Sequence, residues 1–247
     1  MHLYHTPTHI TAFSTTREGD VSIDIPRLFM PHHQVHETNT VIIDEAFLEK
    51  NALEQTLAMD GVDALTTNIP NVCVCVKTAD CIPVLLWDEI SNVVSAVHAG
   101  WKGTLERIVE ANIEVMKDTF GVKPENLQAI IGPGIGPESF EVGDEVYQLF
   151  AEAGFPMEDL AKTYPLLPES PLRKGVKTAH LADSDRYEHK AWHIDLWECN
   201  RGQLIAKGVK AENILVSGID TYTEYKHFYS ARRKLNGRII NGIMRRV

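Results

Sequence analysis

Three residues combine a metal-binding side chain with a position at the beginning or end of a predicted strand. His36 lies in Gln-Val-His-Glu just before a strand, Cys81 follows Thr-Ala-Asp, and His98 ends an apolar strand. Two imidazoles and one thiolate form a donor set that zinc accepts, and three protein ligands leave the fourth tetrahedral position open for water. Their spacing matches no generic zinc pattern. The residues alone therefore leave two alternatives: a metal site, or a core cysteine and two hydrogen-bonded histidines.

The same residues allow two other arrangements. A structural zinc ion usually has four protein ligands, and His33 or His193 could supply the fourth. In a cysteine hydrolase, Cys81 would be the nucleophile and His98 its base. The hydrolase predicts covalent trapping by alkylating reagents, which a zinc-bound thiolate should resist.

The elements that must position these residues alternate between strands and helices. Short β-branched runs bounded by turn residues predict strands over residues 10–14, 40–44, 63–67, 72–76, 82–87, 92–98, 129–131 and 214–218. Apolar residues at helical spacing predict helices over residues 46–59, 101–120, 144–153 and 196–207, with Gly121 ending the second. Residues 155–190 predict a long surface excursion, and a basic tail is expected to complete the chain. The alternation predicts an α/β or α+β fold.

Composition and charge are those of an ordinary globular protein. The chain has 247 residues, with 24 Lys and Arg against 34 Asp and Glu, and a formal net charge of −10. A nucleic-acid binder needs an excess of cations, so no nucleic-acid partner is expected. No apolar run approaches the roughly 18 residues of a membrane span, so no membrane partner is expected. Without a secretory signal or a disulfide pattern, we expect a cytoplasmic protein of one domain, residues 1–247, that is a monomer or a small homo-oligomer.

Several longer motifs follow one another in a fixed order. They are Thr78-Ala-Asp-Cys-Ile-Pro-Val-Leu-Leu, Val97-His-Ala-Gly-Trp-Lys-Gly-Thr, Ile131-Gly-Pro-Gly-Ile, Phe140-Glu-Val-Gly-Asp-Glu-Val, Asp195-Leu-Trp-Glu-Cys-Asn-Arg-Gly-Gln-Leu and Tyr229-Ser-Ala-Arg-Arg. Together with Ser14-Thr-Thr-Arg-Glu-Gly near the start, they resemble the core signature of the YfiH-like family. That family is often labelled "laccase domain" or "multicopper polyphenol oxidase". The resemblance spans nearly the whole chain.

The resemblance implies both a fold and an activity. The implied fold is a single-domain α/β (α+β) sandwich, with mixed β-sheets flanked by helices, of the type grouped with bacterial cytotoxic-necrotising-factor catalytic domains. The implied cofactor is one zinc ion bound by His36, Cys81 and His98. The implied activity is phosphorolysis of adenosine, inosine, guanosine and methylthioadenosine, together with deamination of adenosine. The alternative is editing or binding of peptidoglycan precursors.

Each of these activities requires further residues. For deamination, zinc would activate water for attack on C6 of adenine. Asp80, next to the cysteine ligand, would either shuttle the proton or orient one of the ligands. For phosphorolysis, cations must hold phosphate against the anomeric carbon. Arg17, Lys102 and Arg233 lie in family-like motifs and are expected to bind phosphate and substrate, with Arg232 as the alternative to Arg233.

The spacing of the histidines argues against the oxidase activity that the family label suggests. A multicopper oxidase builds its copper sites largely from His-x-His pairs, and this chain has 11 histidines but no such pair. We therefore expect zinc, although copper could bind the same ligands because its intrinsic affinity is higher. The sequence departs from the family in a shortened segment before Gln34. It also has Asp220-Thr221 where many members have Cys-Thr, and Lys234-Leu-Asn where a glycine is expected.

Overall fold

The computed structural model describes residues 1–18, 23–167, 170, 172 and 190–247. Its strands are β1 His2–Leu3, β2 Ile10–Ser14, β3 Arg27–Phe29, β4 Thr40–Ile42, β5 Ala64–Thr67, β6 Val72–Thr78, β7 Ile82–Asp88, β8 Val93–Ala99, β9 Gln128–Ile131, β10 Glu141–Val142, β11 Ala161–Pro165, β12 Lys190–Ile194, β13 Ile214–Val216 and β14 Ile239–Arg245. Its α-helices are α1 Glu45–Leu48, α2 Ala52–Ala58, α3 Trp101–Leu105, α4 Ile108–Phe120, α5 Asp144–Glu152, α6 Met157–Leu160 and α7 Leu196–Ala206. Within these ranges, no helix combines the length and the apolar character that crossing a membrane requires.

The strands form three sheets. The first has the order β1-β2-β14-β6-β3, the second β13-β9-β7-β8-β5-β4 and the third β10-β12-β11. In the first sheet β3 runs parallel to β6, and in the second β4 runs parallel to β5 and β13 to β9. The other pairs in these two sheets are antiparallel, so both sheets are mixed.

The first and second sheets pack face to face, and helices α4 and α7 cover the other face of the second sheet. Along β7, Val84 and Leu86 belong to the core beneath the helices, whereas Leu85 belongs to the core between the sheets. Successive strand residues point to opposite faces, so a strand that is apolar throughout must be buried on both. The predicted sandwich of mixed sheets flanked by helices is confirmed.

Two predicted helices are each divided into two. The run 46–59 forms α1 and α2, because Asn51 begins a new helix with a capping box. Leu53, expected on an apolar helical face, is 68% exposed. The run 101–120 forms α3 and α4, separated by Arg107 in the left-handed conformation (φ 64°).

Two segments expected at the surface contain strands. The prediction of a basic C-terminal tail is wrong, because β14 lies between β2 and β6 inside the first sheet. Its Ile239 and Ile243 are fully buried, and the arginines that suggested a tail lie at its C-terminal end. The first part of the predicted excursion over 155–190 forms α6 and β11, and β11 pairs with β12. Residues 168–169, 171 and 173–189 of that prediction lie outside the described residues.

Two glycines have opposite backbone requirements. Gly121 ends α4 in the left-handed conformation (φ 69°, ψ 22°), whereas Gly202 lies inside α7, where a Cβ would meet nothing within 4 Å. We expect Gly121→Ala to lower the free energy of unfolding by about 1 kcal/mol. We expect Gly202→Ala to raise it by about 0.5 kcal/mol, because alanine favours helix. Urea denaturation measures both, and changes of the same sign would contradict the prediction.

Candidate active site

The hairpin of β7 and β8 brings two of the predicted ligands to one end of the second sheet. Cys81 immediately precedes β7, and His98 of β8 pairs with Pro83 of β7. Gly100 follows β8 and lies against the third predicted ligand. A Cβ on Gly100 would lie 2.7 Å from the ring of His36 and 3.2 Å from the Sγ of Cys81. Glycine therefore leaves the space that the His36 ring occupies.

His36 comes from a loop that a buried carboxylate holds in place. Asp63 accepts hydrogen bonds from the backbone N–H groups of Val35, His36 and Glu37 at 3.1, 3.0 and 3.0 Å. His36 itself has a left-handed backbone (φ 66°). A non-glycine residue keeps that conformation only when its surroundings stabilise it, and the three hydrogen bonds to Asp63 do so.

His36, Cys81 and His98 form one cluster, in which the ligand atoms all lie within 4.8 Å of one another. The Nε2 of His36 lies 3.8 Å from the Sγ of Cys81, and the two imidazole rings meet edge to face with centroids 4.8 Å apart. The Nδ1 of His98 lies 2.7 Å from the Oδ1 of Asp63. This contact leaves the Nε2 of His98 as the nitrogen available to a ligand. The structure thus brings the three predicted ligands together.

Electrostatic interactions within the cluster favour the charged side chains. Burial on its own raises the pKa of Cys81, but the positive charge of His98 and hydrogen bonds from both histidines lower that pKa to about 6. Burial lowers the pKa of His98, but the thiolate and Asp63 outweigh it and raise this pKa to about 9. The thiolate is the form of cysteine that binds metals.

The donor set and its spacing fit a tetrahedral metal ion. Bonds of 2.0–2.3 Å to zinc place tetrahedral ligand atoms about 3.3–3.7 Å apart, and the separation of 3.8 Å between His36 and Cys81 is close to that range. Among the residues that the structure describes, no fourth His, Cys, Asp or Glu belongs to the cluster. The cluster is therefore a possible metal site with three protein ligands. Imidazole and thiolate ligands suit zinc and copper alike.

The two histidines considered as a fourth ligand lie outside the cluster. His33 is exposed, and its Nδ1 lies 3.6 Å from the carboxylate of Asp60. His193 is buried in β12, with its ring edge-on to Tyr164 at a centroid distance of 5.1 Å. A four-ligand structural zinc site is therefore incomplete within the described part of the chain.

Asp80 lies next to Cys81, but its carboxylate contacts a loop near the C-terminus. It accepts hydrogen bonds from the hydroxyl groups of Thr221 and Ser230 at 2.7 and 3.1 Å and from the backbone N–H of Arg232 at 2.7 Å. The backbone of Asp80 is left-handed (φ 79°). The carboxylate thus ties this loop to the turn that carries Cys81.

Arg17 and Arg233 pack against tyrosines of the same loop. The guanidinium of Arg17 lies 5.5 Å from the ring centroid of Tyr229, and that of Arg233 lies 4.0 Å from the ring centroid of Tyr222. Cation–π contacts of this kind stabilise a loop. Neither arginine lines the cavities next to Cys81.

Lys102 and Arg232 differ in their access to the cluster. Lys102 is exposed, with its Nζ 5.7 Å from the ring centroid of Trp101. Arg232 donates from Nη2 to the backbone carbonyl of Glu141 at 3.0 Å, and it lines a cavity beside Cys81. Of the cations that the sequence suggested for phosphate, Arg232 is therefore the one that lines a cavity next to Cys81 in the described part of the chain.

Two cavities, each of about 370 Å³, flank Cys81. We name the first the apolar cavity; its walls are Ala79, Asp80, Cys81, Trp101, Ile135, Phe140, Leu196, Ala231, Arg232 and Lys234. We name the second the cationic cavity; its walls are His32, His33, Gln34, His36, Lys77, Ala79, Cys81, His98, Ala231 and Arg238. A ligand can thus approach Cys81 either through the apolar cavity or through the cationic cavity.

Sequence reasoning missed Asp63. Its signal was a carboxylate at the first position of a short predicted strand, Asp63-Ala-Leu-Thr-Thr. Buried carboxylates occur where donors surround them, and here the donors include a ligand histidine. Lys77 and Arg238, in the wall of the cationic cavity, were also missed, because they lie outside the motifs that carry the resemblance.

Residues 17–246 match the family described as "Multi-copper polyphenol oxidoreductase laccase". The chain belongs to this family. A relative named "Purine nucleoside phosphorylase" from Bacteroides thetaiotaomicron is 39% identical over 222 residues, which cover 89% of this chain and 74% of that protein. A relative named "Adenosine deaminase RL5", from an unknown prokaryotic organism, is 36% identical over 228 residues, which cover 92% of this chain and 78% of that protein.

Solved structures share the fold of this family member. The crystal structure of the Bacillus licheniformis hypothetical protein YfiH matches with a TM-score of 0.75 and 22% identity, covering 96% of this chain and 93% of that chain. YlmD from Geobacillus stearothermophilus matches with a TM-score of 0.74 and 24% identity, covering 97% and 93%. The resemblance to the YfiH-like family that the motifs indicated is confirmed.

Removing the charge of Asp63 should weaken both the fold and the metal site. We expect Asp63→Asn to lower the free energy of unfolding by about 2 kcal/mol or more, because its buried hydrogen-bond partners lose a charged acceptor. Zinc affinity should fall at least roughly tenfold, because His98 loses its orienting partner. The control is Asp60→Asn, an exposed carboxylate, with a change within about 0.5 kcal/mol. Denaturation and competition with a chromogenic chelator measure these effects, and a fully stable Asp63→Asn protein would contradict the prediction.

Proposed function

We propose that this chain is a zinc-dependent enzyme of purine nucleosides, which catalyses phosphorolysis of adenosine, inosine, guanosine and methylthioadenosine and deamination of adenosine. The observation that carries the proposal is the three-ligand cluster of His36, Cys81 and His98 between two cavities. A catalytic zinc site has three protein ligands and an open position, whereas a structural site has four. The names of the two relatives support the substrate class.

The apolar cavity is the proposed site of the purine base. Its walls include the aromatic rings of Trp101 and Phe140 and the aliphatic side chains of Ile135 and Leu196. Planar heterocycles bind between such side chains, and a few polar groups at the edge set their orientation. Arg232, in the same wall, is the proposed polar contact.

Zinc, when bound, would supply Lewis acidity and would activate water for the deamination. The chain's own residues would hold the ligands in place. Asp63 holds the Nδ1 of His98 in a hydrogen bond, so that Nε2 would be the nitrogen that binds zinc. With three donors on its carboxylate, Asp80 is proposed to position the loop that carries Arg232. The proton transfer first considered for Asp80 would have to displace one of these donors.

The arrangement also favours a second candidate, a cysteine hydrolase. Cys81, His98 and Asp63 are joined in the order nucleophile, base and orienting carboxylate. His36 distinguishes the two candidates, because its Nε2 lies beside the thiol sulfur at 3.8 Å and completes a metal-ligand set.

The four cysteines are free thiols, which supports the proposed cytoplasmic location, since reducing compartments keep thiols unpaired.

The proposed activity can be tested with adenosine. Purified protein of measured zinc and copper content, incubated with and without phosphate, should form adenine and ribose 1-phosphate, or inosine, as identified by mass. We expect a chelator or Cys81→Ala to abolish both products, because the metal loses its site. Added zinc should restore activity to the chelated wild type but not to the variant. If a folded, zinc-loaded sample forms no product from adenosine, the proposal is contradicted, and the editing or binding of peptidoglycan precursors becomes the favoured function.

Alkylation separates the zinc enzyme from the cysteine hydrolase. We expect iodoacetamide to label Cys81 at least roughly tenfold more slowly in the zinc-loaded protein than after chelation, because a bound thiolate is a poor nucleophile. Cys73, Cys75 and Cys199 are buried and should stay unlabelled, which makes them internal controls for mass spectrometry. Activity that survives chelation but is lost on alkylation would establish the hydrolase instead.

A further inference from the structure

Two cations, Lys77 and Arg238, line the cationic cavity next to the ligand cluster. Their positions follow from the register of the first sheet. Lys77 of β6 pairs with Ile240 of β14, and Arg238 precedes Ile240 by two residues. Strand residues two apart lie on one face. Lys77 and Ile240 therefore share a face, and Arg238, one residue before β14, lines the same cavity as Lys77 and Cys81.

Lys77 is held in place by the loop that also carries His36. The side chain of Gln34 donates to the carbonyl of Lys77 at 2.9 Å and accepts from its backbone N–H at 2.8 Å. The Nζ of Lys77 donates to the carbonyl of His32 at 2.9 Å. An ammonium group carries three N–H donors, and this bond uses one of them. The cation is thus oriented by neutral groups.

No carboxylate balances this pair of charges in the described part of the chain. None of the described Asp and Glu residues lines the cavity, and none forms an ion pair with Lys77 or Arg238. Burial and the nearby charge of Arg238 lower the pKa of Lys77. In a chain of net charge −10, two cations that line one cavity without a carboxylate indicate a site for an anion.

We propose that the cationic cavity binds inorganic phosphate, the second substrate of phosphorolysis, through Lys77 and Arg238. The role of the bound phosphate rests on the proposed function, whereas its binding does not. A guanidinium can contact two phosphate oxygens and an ammonium a third. The cationic and apolar cavities share Ala79, Cys81 and Ala231 as walls. The two cavities thus adjoin at Cys81, where phosphate and the nucleoside would meet.

The reaction at this site is a balanced displacement. An oxygen of HPO₄²⁻ forms a bond to C1′ of the nucleoside while the bond from C1′ to N9 breaks. The electron pair of that bond stays on the purine, and the proton of the hydrogen phosphate ends on the purine. The products are the free base and ribose 1-phosphate, without an oxidant or a reductant. Lys77 and Arg238 would hold the phosphate oxygens that do not react.

Titration calorimetry with sodium phosphate, at an ionic strength kept constant with sodium chloride, tests binding directly. We expect Lys77→Met and Arg238→Met each to raise the Kd at least roughly tenfold, because each removes a charged hydrogen-bond donor. Lys77→Arg, which keeps the charge, should bind more tightly than Lys77→Met. Thermal melts would establish that each variant is folded.

Lys210→Met is the matched control, with an expected Kd equal to that of the wild type. Lys210 is exposed and lies far from the site. It precedes β13, which adjoins β9, and Ala129 of β9 pairs with Leu86 at the end of β7 remote from Cys81. An unchanged Kd in both methionine variants at Lys77 and Arg238 would overturn the inference. Binding that chelation abolishes but Lys77→Met leaves intact would also overturn it, since the metal would then hold the phosphate.

Kinetics separate this inference from the proposed function. With adenosine and phosphate both varied, Lys77→Met and Arg238→Met should raise the KM for phosphate at least roughly tenfold and the KM for adenosine by much less. A raised phosphate KM in variants of Arg17, Lys102 or Arg233, but not in these two, would overturn the inference and leave the proposed function standing. If phosphate binding depends on Lys77 but the protein does not turn over nucleosides, the anion site is supported and the proposed function is contradicted.

Discussion

The buried carboxylate of Asp63 is the constraint on which the candidate site depends. Asp63 is fully buried, and a charge without water is tolerated only when donors surround it. Its donors are the imidazole of His98 and three consecutive backbone N–H groups, which include that of His36. Because one carboxylate satisfies both sets of donors, the loop and the strand must meet there. Two predicted ligands from distant parts of the chain, His36 and His98, are thereby placed beside Cys81.

Placing these residues requires strained backbone conformations around the cluster. His36 and Asp80 both have left-handed backbones, which cost a non-glycine residue about 1–3 kcal/mol. Hydrogen bonds hold both residues in this conformation. The backbone N–H of His36 donates to the carboxylate of Asp63, and the carboxylate of Asp80 accepts three hydrogen bonds from the loop near the C-terminus. Gly100 leaves the space beside His36 and Cys81 that a side chain would fill. The strain lies at the candidate site, and the surrounding hydrogen bonds maintain it.

Local patterns predicted most of the elements, and long-range pairing accounts for what they missed. The hairpin of β7 and β8 was predictable because its strands are apolar on both faces. The strand β14 was missed because arginines follow its apolar residues, which is also typical of a tail. The ligand set depended on the resemblance to a family, since register and the Asp63 hydrogen bonds, not sequence spacing, join His36 to Cys81 and His98. Asp63 has only a weak local signal, because its donors, three backbone N–H groups and the imidazole of His98, come from other segments of the chain.

The charge distribution around Cys81 bears on the kind of chemistry that the site can support. The apolar cavity has mainly aromatic and aliphatic walls, although Asp80, Arg232 and Lys234 also line it. The cationic cavity has Lys77 and Arg238 and no carboxylate among the described residues. Oxidation of a phenol requires redox-active metal centres, and the proposed binding of phosphate would contribute nothing to that reaction. A reaction between a nucleoside and phosphate requires an apolar surface for the base and a cationic one for the anion, both within reach of the same centre. The two cavities therefore support the proposed nucleoside chemistry more than the oxidation that the family's description suggests.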